Sequence, residues 1–171
     1  RFIIVLAGTL TVLTALAVIV GRGLYAPQFA YQSGPRYAED IYMMDARAGI
    51  PHKRTPGAGR DVSLSWLPDG QRLSFASNRA GADLDMYTLH IHNRQVEPLA
   101  NIAAEAFQPA WSPDGAGLLF LGGVGTYTDV FLQQLDQRRQ LTRQGIASSP
   151  VWSPDGQTIA FIDAHQNNPD L

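Results

Sequence analysis

Three tryptophans occupy the same place in the same short motif, and that recurrence limits the fold more than any other feature of the chain. The segments SWLPDGQRLSF (65–75), AWSPDGAGLLF (110–120) and VWSPDGQTIAF (151–161) align without gaps. Trp66, Trp111 and Trp152 are 45 and 41 residues apart, and Phe75, Phe120 and Phe161 each follow nine residues later. A second motif comes after the first two copies, as Asp85-Met86-Tyr87 and Asp129-Val130-Phe131. It also stands once earlier, without its first half, as Asp40-Ile41-Tyr42. A short polar stretch closes each unit: HKRT (52–55), VEPLA (96–100) and RQLT (139–142). Self-similarity with a period of about 40 residues marks a repeat architecture, in which each unit packs on its neighbours.

The physics of one unit is legible. A short strand ends at the tryptophan. Pro-Asp-Gly then makes a tight turn, with proline setting φ at one corner and glycine free to take positive φ. Leu73-Ser74-Phe75-Ala76 alternates apolar with small or polar residues, the pattern of a half-buried strand. A third strand begins at Asp85 and a fourth at Gln95. Four short antiparallel strands per repeat make a propeller blade, which must bury both faces against neighbouring blades. The expected repeat core is therefore Trp66, Phe75, Tyr87, Trp111, Phe120, Phe131, Trp152 and Phe161.

These motifs resemble the TolB-like propeller repeat, of WD40-like, Trp-Ser-Pro-Asp-Gly type. Its pattern continues with Ser-x-Arg, Asp-Ile-Tyr and Leu-Thr. The resemblance covers about residues 38–171 and implies a bacterial extracytoplasmic propeller of a kind that mostly binds proteins or peptides. The chain departs from the pattern in places. Leu67 replaces the turn serine in the first copy, and Ala100 replaces the closing threonine. Only that copy keeps Ser77-Asn78-Arg79; Gly122-Gly123-Val124 and Asp163-Ala164-His165 stand in the others.

Ahead of the repeats, Phe2 to Val20 is an uncharged apolar run bracketed by Arg1 and Arg22. As a helix its nineteen residues would rise ~28 Å, close to the thickness of a bilayer's hydrocarbon core. Tyr25, Phe29 and Tyr31 follow as an interfacial aromatic belt would. A cleavable signal peptide would carry a shorter run, and Leu24-Tyr25-Ala26 fits a small-x-small cleavage site poorly. Ala7, Thr11 and Ala15 share one helix face, with Gly8 beside them. Small residues there let another helix approach closely, so this is the expected helix-docking face.

The expected fold is thus all-β, a partial propeller of four-stranded antiparallel blades preceded by one N-terminal transmembrane α-helix. The domain reading is an anchor over 1–26, a linker over 27–37 and an incomplete propeller over 38–171. The propeller holds a half blade, full blades at 61–100 and 105–142, and a half blade at 147–171.

Composition excludes several functions. With no cysteine among 171 residues, thiol catalysis, disulfides and cysteine-based metal sites are absent. A net charge of −2 gives no electrostatic footprint for nucleic acid. Residues 1–60 carry seven Arg/Lys against three Asp/Glu, and residues 61–171 carry six against twelve, so the basic part lies beside the apolar run, where anionic lipid favours it. Gly-x-Ser-x-Gly, His-Glu-x-x-His and phosphate-binding glycine loops do not occur. His90 and His92 share a strand face but lack an evident third ligand. Asp69, Asp114 and Asp155 read as turn residues on separate blades. The functional expectation is a non-enzymatic, cofactor-free propeller held in the bacterial inner membrane, single-pass and with the propeller on the periplasmic side. Its partners would be membrane proteins through the helix, proteins or peptides through the propeller, and the lipid bilayer. The alternatives are the sensor domain of a single-pass receptor and the propeller of a dipeptidyl-peptidase-like hydrolase.

Overall fold

The computed structural model describes residues 28–164, apart from 46–48, 58, 100–101, 103–104, 125–126 and 144. The expected membrane helix with its Ala7, Gly8, Thr11 and Ala15 face lies outside the described residues, as does the end of the last half blade. Among the described residues no helix is long and apolar enough to cross a membrane.

The described chain is all strand and turn. The first sheet holds β1 (Gln28–Ser33), β2 (Asp40–Asp45) and β3 (His52–Lys53). The second holds β4 (Asp61–Trp66), β5 (Arg72–Ser77), β6 (Asp85–His90) and β7 (Val96–Pro98). The third holds β8 (Ala106–Trp111), β9 (Gly117–Val124), β10 (Tyr127–Gln134) and β11 (Gln137–Gln140), and the fourth β12 (Ala147–Trp152) and β13 (Ile159–Asp163). Every ladder within these sheets is antiparallel and joins strands consecutive in sequence. The inner strands β4, β8 and β12 each end at a repeat tryptophan and pack side by side.

One part of the sequence reading changes. The stretch assigned to a linker contains β1, and Phe29 and Tyr31 belong to this strand. β1 pairs with β2 so that Tyr31 faces Tyr42, as Phe75 faces Tyr87 and Phe120 faces Phe131. Those three pairs are the same cross-strand aromatic contact, with ring centroids 5.9, 6.0 and 5.5 Å apart. β1 is therefore the second strand of a blade. The tryptophan and turn that announce the other second strands do not precede it.

One apolar cluster fills each gap between sheets. Ala30, Ile41 and Met43 meet Leu64, Trp66, Leu73, Phe75, Tyr87 and Leu89 between the first and second sheets. Met86 meets Ala106, Leu118 and Phe120 in the next gap, with Trp111 and Phe131 packed at its border. Leu119, Leu121, Val130, Leu132 and Ala147 fill the last, bordered by Trp152. The core is thus a row of interfaces, as the repeat demanded.

Two local devices recur. The turn glycines Gly70, Gly115 and Gly156 take φ of 66°, 75° and 71°, and their amides donate to the carbonyls of Leu67, Ser112 and Ser153. Three residues before each tryptophan, Ser63, Gln108 and Ser149 take φ of 55°, 51° and 53°. There the register of the inner strand slips against its neighbour. This is a β-bulge kept in all three copies, and it bends the inner strand.

The closing motif also has a cause. Thr142 Oγ1 accepts from the Val130 amide and donates to Asp129 Oδ1, both at 2.9 Å. Thr55 Oγ1 accepts from Ile41 at 3.1 Å and donates to Asp40 at 3.4 Å. The hydroxyl staples the outermost strand to the third, which is why a threonine closes the unit that an aspartate opens.

Candidate interaction surface

The side chains singled out by the repeat divide into those that join blades and those left at the end of the row. Phe75, Tyr87, Trp66 and Phe120 are buried, whereas Trp111, Phe131 and Trp152 are half-buried. The half-buried tryptophans reach across to the preceding blade. Trp111 Nε1 donates to Ser74 Oγ at 3.0 Å, and Trp152 Nε1 donates to the Ala110 carbonyl at 3.1 Å. Two glutamines reach the other way, to the bulge of the following blade. Gln32 Oε1 accepts from the Ser63 amide at 2.9 Å and Gln108 Oε1 from the Ser149 amide at 2.7 Å.

The Ser-Pro-Asp-Gly turns stack along one end of the row. A Cβ at Gly115 would lie 3.6 Å from the Pro68 ring, and one at Gly156 3.4 Å from Pro113. Within a turn, Ser112 donates to Asp114 at 2.6 Å and Ser153 to Asp155 at 2.5 Å. Each serine oxygen also accepts an amide, from Gly117 or Thr158. The serine bond, followed by amide bonds, holds the Asp114 and Asp155 carboxyls below their ordinary range. Asp69 lacks a serine. Partial burial pushes its carboxyl up, but the Gln71 and Arg72 amides and the Arg72 guanidinium together outweigh that and hold it low. These carboxylates are occupied in turn geometry.

Other candidates resolve similarly. His90 Nε2 lies 2.8 Å from Glu97 Oε1, and among the described residues no three His, Cys, Asp or Glu side chains are placed to hold a metal ion. One pair escaped sequence reasoning. Arg79 Nη2 binds both oxygens of Asp61 at 2.9 and 3.1 Å, with Asp61 buried. The guanidinium also lies 5.1 Å from the Phe75 ring centroid and 5.2 Å from that of Tyr87. A signal existed. Five residues before the tryptophan, aspartate occurs only in the copy that keeps the arginine; Ala106 and Ala147 stand in the others.

In the last sheet two strands are described, β12 and β13. Phe161 is 39% exposed and Ile162 60%, whereas their equivalents Phe75 and Ala76, Phe120 and Leu121 are at most 1% exposed. Val151 on the paired strand is 52% exposed. In the inner blades, a third strand and the next blade cover these positions. The repeat pattern makes residues apolar where a neighbouring strand or blade is expected.

Comparison with known proteins places this architecture. An uncharacterized peptidase, YuxL of Bacillus subtilis, is 28% identical over 104 residues, which is 61% of this chain and 16% of that protein. The uncharacterized protein Atu1656 of Agrobacterium fabrum is 33% identical over 104 residues, 60% of this chain and 34% of its own length. The chain thus spans about a third or less of these relatives. The crystal structure of TolB from Acinetobacter baumannii superposes with a TM-score of 0.68 at 21% identity, over 82% of this chain and 36% of TolB. That likeness shows a shared fold. The repeats also match a family pattern over residues 28–171, from the first residue of β1. The chain belongs to the TolB beta propeller domain family.

Proposed function

We propose that this chain is a non-enzymatic propeller subunit that binds proteins, held in a bacterial inner membrane by the helix over residues 2–20, with its blades on the periplasmic side. The observation that carries the reading is how the polar groups are used. The turn carboxylates, the Asp61–Arg79 pair and the Asp–Thr staples are all engaged in holding strands and blades together. What remains for recognition is surface. The apolar run at the N-terminus supports the anchor, and its small-residue face supports a helix partner. In this reading the full-length protein co-purifies with a membrane partner in mild detergent. Replacing Thr11 and Ala15 with leucine releases that partner while the protein stays in the membrane. Unchanged partner yield from the double variant would refute the docking role.

A second reading follows from the similarity to YuxL, whose name marks it as a peptidase. Here the blades would be the propeller of a hydrolase whose catalytic domain lies elsewhere in the polypeptide. Labelling of the full-length protein by a fluorophosphonate serine probe would select this reading, and its absence in a folded sample would leave the binding role.

A further inference from the structure

The chain enters the first sheet at one defined end of the propeller, and register sets which. Gln28, the first residue of β1, lies opposite Asp45, as Arg72 lies opposite His90 and Gly117 opposite Gln134. Arg72 and Gly117 each follow a Pro-Asp-Gly turn. Gln28 therefore stands at the end of the molecule where those turns stack. The outer turns, which join third to fourth strands after Asp45, His90 and Gln134, lie at this end as well. The loop between β1 and β2 lies at the opposite end.

Two apolar side chains project from the outer turns. Ile50 is 76% and Leu135 92% exposed, the highest values for large apolar side chains among the described residues. Leu135 and Asp136 make up the whole β10–β11 turn, since Gln134 pairs with Gln137. Ile50 lines a cleft together with Gln28, so it lies beside the point of entry. An uncovered flank does not explain this exposure. The second sheet has a described sheet on either side, and its outer-turn residues His92, Asn93, Arg94 and Gln95 are exposed all the same. A turn tip of this kind points to whatever lies beyond the end of the propeller.

Chain length says what lies there. Seven residues separate Val20, the last of the apolar run, from Gln28. Fully extended, a segment of that length spans at most ~25 Å. A strand like β1 is itself ~20 Å long. So short a tether holds the entry end toward the bilayer. The opposite end could meet the membrane only with the tether stretched along the whole height of a blade.

We propose that the turn end of the propeller rests on the bilayer surface, with Ile50 and Leu135 in the lipid headgroup layer. This inference rests on the membrane anchor proposed above. The inner turns at this end carry Asp69, Asp114 and Asp155, so anionic lipid is not favoured there, and the contact is an apolar one made by the outer turns. The loop at the opposite end, where Tyr37 is 64% exposed, then faces away from the membrane.

The test uses the full-length protein in phosphatidylcholine nanodiscs, with no partner present. A fluorophore is attached through one substitution at a time, Ile50→Cys, Leu135→Cys or Tyr37→Cys, in a cysteine-free background. Lipids spin-labelled near the headgroup should quench the probes at positions 50 and 135 at least about threefold more than the probe at 37. Equal quenching at the three positions, or the strongest at 37, in a protein that resists alkaline extraction from membranes would overturn the inference and leave the anchor standing. Release of the protein by alkaline extraction would remove the anchor and the inference together. Shielding of positions 50 and 135 that appears only after a partner protein is added would also overturn the inference, by giving this end to a protein.

Discussion

The second and third sheets share a fold and a register, yet they secure the same corner by different chemistry. In the second, Arg79 lies over the Phe75 and Tyr87 rings and binds buried Asp61. In the third, Ala106 replaces the aspartate and glycines replace Ser77 and Asn78. Phe131 there stacks on Phe120 at 5.5 Å and leans over Gly122, where an added Cβ would come within 2.7 Å of the ring. One blade fastens its edge with a buried ion pair, the other with an aromatic ring pressed on a bare backbone. The lesson is that the two motif departures are linked: losing the arginine is tolerated where the aspartate is lost as well.

The largest expected effect breaks the ionic version. Arg79→Ala leaves Asp61 buried without its guanidinium and should cost ~3–5 kcal/mol. Adding Asp61→Ala, which reproduces the third blade's alanine, should restore much of that loss. Urea denaturation followed by tryptophan fluorescence reads both. A double variant as unstable as Arg79→Ala would show that the arginine acts through its ring contacts instead.

A smaller effect tests the aromatic version. Gly122→Ala should cost ~1–3 kcal/mol, because the new methyl group must displace the Phe131 ring. Ser77→Ala at the matching place in the second sheet adds no bulk, so overpacking should be confined to the third. A Gly122→Ala variant as stable as the parent would mean that the ring moves freely.

The smallest effect concerns the turns, where the first copy has Leu67 and the others serine. Because the Asp114 and Asp155 carboxyls are held low, their turns contribute stability above the unfolded carboxylate pKa. That contribution is lost as pH falls through the folded values. Ser112→Ala should move the Asp114 titration upward in an NMR pH series and leave Asp155 unmoved. An unshifted Asp114 would show that the amide bonds alone set it.

Much of the blade was legible because its signals are local. Trp-x-Pro-Asp-Gly states where one strand ends, which way the chain turns and where the next begins. The Asp-x-aromatic motif marks the third strand for the same reason. β1 was not legible by this route. Its pattern, Phe29-Ala30-Tyr31, matches Leu73-Ser74-Phe75 only once Tyr42 is known to lie opposite Tyr31. Beside an apolar run, the same aromatics read as a membrane belt. The Asp61–Arg79 pair was hidden differently, since its members are 18 residues apart and neither is unusual by itself.

By itself, then, the sequence determined the repeat and its four-strand order, because turn chemistry and strand alternation act between near neighbours. Only the tertiary structure decided that Gln28–Ser33 is a strand, that Arg79 closes on Asp61, that Trp111 and Trp152 bond to the blade before them, and which apolar positions are covered. Those outcomes depend on what lies across a ladder or an interface, and a residue's position along the chain does not specify its neighbour there.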